Sequence, residues 1–362
     1  MKNLPKIADN VEVGYDSENF LHFIFVNSRR HLTVKAEPQT IEVVNFFDGN
    51  RTIAEISKDT GISEPTVNAL VEKMIKLRLV RNVATHPTDR TANQHFYARQ
   101  LEFFSDFTDN PEAAQERLKA ATVAIVGLGA IGGGIAAQLA RAGVGCIRAL
   151  DMDNVSASNL SRHQLFQRED IGISKIVAAK LRLSQLNPDL KFEGQHFCLE
   201  AQSDIKSFFN GCDIVINCAD QPSVAETSEW VGRACMQLKI PHILAGGYRT
   251  HLGFVGPTVL PFQSACWMCF AVDYRKNDPF AAKGWKPLAI SRPSGGSLGP
   301  LSSVVVGFHA WEAIRILTCI LPPQMVNAKV EINFADFTIS KYEVIRNPDC
   351  SECGNLRLQS LT

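Results

Sequence analysis

Residues 122–132 read Thr-Val-Ala-Ile-Val-Gly-Leu-Gly-Ala-Ile-Gly. Five strand-forming residues run into a G-x-G-x-x-G turn, and the turn opens an apolar helix. In that context Gly127, Gly129 and Gly132 let backbone N–H groups approach a phosphate, and the helix N-terminus adds partial positive charge. The motif selects a nucleotide without choosing between NAD and ATP. Outward from it, apolar strands alternate with helical patterns: a helix from Ile131 to Ala142, strand CIRALDMD, helix SKIVAAKLRLSQL, and strands KFEGQHF and DIVINCAD. This alternation predicts an α/β fold with a Rossmann-like nucleotide-binding core and a mostly parallel sheet.

The residues after the second strand separate the two nucleotides. Asp151, about 20 residues past the glycine turn, stands where a carboxylate can accept ribose hydroxyls, and Asp153 follows it. Next come Ser158-Asn159-Leu160-Ser161-Arg162-His163-Gln164 and Asp170-Ile171-Gly172-Ile173-Ser174-Lys175. Hydride transfer has no use for Arg162 and Lys175 here. Cleavage of ATP does, because charge develops on the leaving polyphosphate.

With Cys218-Ala219-Asp220 further on, this composite resembles the E1-like, ThiF-type adenylating enzymes from about residue 94 to residue 354. The resemblance implies that Asp151 holds ribose, that Asn159 and Arg162 contact phosphates, and that Lys175 neutralises the β/γ region. By the same resemblance Asp220 binds Mg²⁺, and Arg99 reaches into a partner subunit's ATP site, which implies a homodimer. One departure is visible: the family commonly places Gln directly after the arginine, whereas here His163 intervenes before Gln164.

Cys266-Trp-Met-Cys269 and Cys350-Ser-Glu-Cys353 are two CxxC pairs in a chain of ten cysteines. Cys266, Cys269, Cys350 and Cys353 supply four thiolates, the set for a structural Zn²⁺ with no open position. Family members that form thioesters or relay sulfur resemble this chain but carry a reactive cysteine after the first pair. Phe270 to Thr318 contains none, so attack by a group of the substrate is expected after adenylation. The glycine- and proline-rich stretch Asp273 to Leu301 is expected to be a loop crossing over the active site and clamping a peptide tail.

Composition narrows the partners. Thirty-seven basic and 37 acidic residues cancel over 362 residues, so no general field draws the protein to nucleic acid or to an anionic membrane. The opening MKNLPKIADNVEV has no apolar run behind a positive end, and no membrane span is evident; a cytoplasmic enzyme is the expectation.

Ahead of the core, residues 1–85 predict two strands around Asn27 to Arg30 and three short helices. The second helix carries a capping box, Thr52 with Glu55, and the third places Val67, Leu70, Val71, Met74 and Leu77 on one face. This winged-helix-like unit has eleven basic and eleven acidic residues, which argues against duplex DNA. It resembles the small domain that recognises leader peptides, with the strand from Leu21 to Phe25 and the helix from Thr66 to Lys76 forming the groove. The expected organisation is therefore residues 1–85 for peptide recognition, 86–100 as linker and dimer-contacting arm, and 101–362 as the adenylating domain. As a whole the chain looks most like the peptide-adenylating enzymes of microcin C and pantocin maturation. That resemblance implies ATP-dependent adenylation of a precursor-peptide carboxylate. Activation of the C-terminal glycine of a ubiquitin-like sulfur carrier is the alternative.

Overall fold

The computed structural model describes residues 4–83, 96–244, 246–277 and 296–354. The linker and arm expected over residues 86–100 and the crossover loop expected over Asp273 to Leu301 fall largely outside them. The chain divides into two compact units, Met1–Asp109 and Asn110–Thr362.

In the first unit, β1 (Leu4–Ile7) pairs with β5 (Val80–Val83), and β2 (Val11–Tyr15), β3 (Phe20–Phe25) and β4 (His31–Lys35) form an antiparallel sheet. Helices α1 (Pro38–Asn45), α2 (Ile53–Thr60) and α3 (Glu64–Lys76) complete its core, and α4 (Ala98–Ser105) follows. The capping box is formed: Glu55 N–H donates to Thr52 Oγ1, and Glu55 Oε2 accepts from Thr52 N–H at 2.8 Å. Alternate residues Leu21, Phe23 and Phe25 pack on Ile56, Val67, Val71 and Met74.

Two expectations need correction. Leu77 follows the last helical residue of α3 and is exposed, so it leaves the buried face. Strand Leu21 to Phe25 is the central strand, hydrogen-bonded on both sides by β2 and β4. An added strand can therefore use only the edges at β2 or β4.

The second unit opens with α5 (Pro111–Ala120). It is built on a six-stranded sheet of β6 (Thr122–Val126), β7 (Cys146–Asp151), β8 (Lys191–His196), β9 (Ile214–Asn217), β10 (His242–Leu244) and an antiparallel edge, β13 (Thr258–Val259). The five parallel strands lie in the order β8-β7-β6-β9-β10. The order reverses between β6 and β9, and the crevice outside the carboxyl ends of strands at such a point is where open α/β sheets bind ligands. Helices α6 (Ala130–Ala142), α7 (Lys175–Leu186) and α8 (Val224–Leu238) connect the strands.

Strands β11 (Tyr248–Arg249), β12 (Leu252–Val255), β14 (Ala328–Asn333) and β15 (Thr338–Glu343) make a further antiparallel sheet. Helices α9 (Trp267–Asn277) and α10 (Gly299–Thr318) lie between those strands in sequence. No helix among the described residues is long and apolar enough to cross a membrane.

Candidate active site

A cavity of about 600 Å³ opens at the reversal point. Gly127, Gly129, Asp151, Asp153, Asn159, Arg162, Lys175 and Asp220 all line it. Gly132, one turn into α6, sits behind the floor.

Two strand ends meet in that floor with no room for side chains. Gly127 has φ +88°, and a Cβ there would lie 2.9 Å from the carbonyl oxygen of Cys218. A Cβ on Gly132 would lie 1.9 Å from the Gly127 carbonyl oxygen. Gly129, at the N-cap of α6, has open space instead, so the helix terminus faces the cavity bare.

Asp151, buried at the end of β7, braces this floor: Oδ2 accepts Leu128 N–H at 2.6 Å and Oδ1 accepts Asp153 N–H at 2.8 Å. Lys175 opens α7 with its side chain only 7% exposed; its ammonium lies 2.7 Å from Asp153 Oδ2 and 3.7 Å from Asp151 Oδ1. The loop leading to Lys175 is pinned by Asp170, which is buried and accepts a fork from Arg182 at 2.9 and 3.0 Å. Burial pushes that carboxyl up, but the Arg182 fork and the Gln167 N–H outweigh it and hold Asp170 below the ordinary carboxylate value.

Asn159 is held by its own turn, accepting Ser156 N–H at 3.1 Å, and Arg162 donates to the Ser158 carbonyl at 2.9 Å. Helix α10 grips this segment, since Ser302 Oγ donates to the Arg162 carbonyl and Gln164 to Ser303. Asn217, at the end of β9, accepts Ala219 N–H and donates to Thr227 and Ser228, ordering the turn that carries Asp220. Burial pushes the neighbouring Cys218 thiol well up, so it is not a ready nucleophile.

No motif signals Phe197, Leu199 and Tyr248, which also line the cavity; Tyr248 hydrogen-bonds Ser297 there. They arrive by topology, from the segments after β8 and at β11. Arg99 belongs to the first unit, where it is 97% exposed and 3.5 Å from Glu102.

Apart from the cavity, Cys266, Cys269, Cys350 and Cys353 converge, with all four Sγ atoms within 4.8 Å of one another. The Cys266–Cys350 and Cys269–Cys353 separations are 3.6 and 3.5 Å. Thiolates about 2.3 Å from a tetrahedral zinc would stand about 3.8 Å apart, so the cluster fits that ion.

Comparison with known proteins agrees with this layout. Residues 97–353 match the ThiF family model. The sulfur carrier protein ThiS adenylyltransferase of Escherichia coli strain K12 is 31% identical over 246 residues, covering 66% of this chain and 88% of that protein. Among solved structures, Escherichia coli MccB with MccA-N7isoASN superposes with a TM-score of 0.74 at 20% identity, covering 98% of this chain and all of that one. PaaA superposes with a TM-score of 0.71 at 20% identity, covering 94% of this chain and all of that one. The chain belongs to the ThiF family and is an ATP-dependent adenylating enzyme.

Proposed function

We propose that the enzyme adenylates a carboxylate of a ribosomally made precursor peptide, and that a nucleophile within the peptide then displaces AMP, in the maturation of a peptide antibiotic. The observation that carries this reading is coverage. The ThiS adenylyltransferase matches 66% of the chain, whereas MccB, solved with MccA, matches its fold over 98%, the N-terminal unit included. The lack of cysteine between Phe270 and Thr318 fits a route without a protein thioester.

A carboxylate resists attack because oxide would have to leave an already negative group. In the proposed reaction a carboxylate oxygen bonds to the α-phosphorus of ATP, the bond to the β-phosphate oxygen breaks, and pyrophosphate departs. Arg162 and Lys175 neutralise the departing charge, Asn159 and the bare α6 terminus hold phosphate oxygens, and Asp151 and Asp153 face the ribose. Asp220 would hold Mg²⁺, whose chemistry is to offset phosphate charge. In a homodimer Arg99 would serve the partner subunit's site. The nucleophile of the peptide then adds to the acyl carbon and AMP leaves with the bonding pair of the acyl–oxygen bond.

Residues 1–85 would hold the leader of the peptide along an edge of the β2-β3-β4 sheet, with residues 86–100 as linker and arm and 101–362 as the adenylating domain. Zinc at the four cysteines would be structural, and ten free thiols suit a reducing cytoplasm.

The sulfur-carrier reading is favoured by the 31% identity to the ThiS adenylyltransferase, but it leaves residues 1–85 without a task. Purified enzyme with Mg²⁺, ATP and a short peptide encoded beside its gene should give peptide-dependent AMP and a mass change on the peptide. AMP only with a carrier protein ending in Gly-Gly would transfer the assignment to the second reading.

A further inference from the structure

One polar ring in the cavity has no part in the reaction as described. His163 follows Arg162 on the segment gripped by α10 and lines the cavity. It is nine-tenths buried, its ring centroid 5.7 Å from that of Phe166 at a 38° tilt. Its Nδ1 is fully buried with no hydrogen-bond partner among the described residues.

That orphan atom assigns the tautomer. Buried N–H groups without an acceptor are rarer than under-used acceptors, so the bare lone pair belongs at Nδ1 and the proton at Nε2. Burial first, then the charges of Lys175 and Arg162, push the imidazole down to about 4, so the ring stays uncharged near neutral pH. With Lys175 and Arg162 as neighbours, the ligand chemistry facing the ring is an anionic oxygen.

We infer that His163 donates its Nε2–H to a phosphoryl oxygen of bound ATP. The inference rests on reading the cavity as the ATP site. A donor of this kind adds direction where two cations already supply attraction, and it does so without a third positive charge that would hold the leaving pyrophosphate too firmly.

Titration of ATP with Mg²⁺ into the full chain, followed by calorimetry, tests this. His163→Phe keeps a ring against Phe166 and removes the donor; the dissociation constant should rise roughly 10- to 100-fold, the range for a hydrogen bond to a charged group. His163→Gln keeps an N–H donor and should stay within about threefold. Equal affinity of His163→Phe and the parent overturns the inference while leaving the ATP site standing. A parent chain that binds no ATP overturns the reading beneath it.

Should His163→Phe not fold, the intact protein decides. The ¹⁵Nε2 resonance of His163, assigned by its loss in His163→Gln, should shift on adding α,β-methylene ATP, and an unmoved resonance overturns the inference.

Discussion

Lys175 donates to Asp153 across 2.7 Å, and both line a cavity in which Arg162 is committed, among the described residues, only to a backbone carbonyl. The side chain of Lys175 is buried while that of Asp153 is 55% exposed. The carboxylate therefore keeps the ammonium extended; in the proposed ATP complex a phosphate would take it over.

Removing the ammonium should cost turnover more than fold. Lys175→Ala is expected to lower AMP formation by at least about 100-fold, the usual scale for a group that meets developing charge, with an unchanged circular dichroism spectrum. Turnover within threefold of the parent would show that Lys175 only braces Asp151 and Asp153.

The two ends of the glycine turn should respond oppositely to a methyl group. Gly132→Ala puts Cβ against the Gly127 carbonyl and should destabilise by more than about 3 kcal/mol or prevent soluble expression. Gly129→Ala meets nothing within 4 Å; it should melt near the parent and bind ATP several-fold more weakly, because its methyl group occupies the phosphate approach. A calorimetric titration beside a thermal melt separates the two.

Asp170 supplies a prediction in pH. Its carboxyl is held below the ordinary value by Arg182, so the unfolded chain takes up the proton first as pH falls, and the stability from this pair is present above about pH 4 and lost below it. Asp170→Asn should therefore flatten the acid limb of the urea midpoint against pH. At pH 7, Asp170→Ala, which leaves Arg182 only the longer contacts to Glu169 and Gln185, should cost about 3 kcal/mol, the low end for breaking a buried pair.

The cysteine cluster should hold one zinc per chain by elemental analysis, and Cys269→Ser or prolonged chelation should release it and lower the melting temperature. Metal content unchanged in Cys269→Ser would remove that residue from the set.

What could be read in the residues was what is local. The capping box of Thr52 and Glu55, the strand–turn–helix around Gly127 and the motif carrying Arg162 and Lys175 each lie within one short stretch, so their pattern is in the sequence. Strand β1 was not legible, since LPKI becomes a strand only by pairing with residues 80–83 at the far end of its unit. Tyr248 and Phe197 were missed for the same reason: strand order brings them to the cavity, and nothing in their neighbours signals it. The central place of β3 was hidden because Gly14 weakens the strand pattern of VEVGY, so β2, the partner that closes its second side, went unseen.

The floor shared by Gly127 and Cys218 bears on how such a site can diversify. In the proposed ATP complex it would meet phosphate with main chain at Gly127, where no side chain fits, so that position has no variants to offer selection. New specificity would have to be written elsewhere in the lining, as at Phe197, Leu199 and Tyr248. A floor built this way constrains the chemistry more tightly than the substrate.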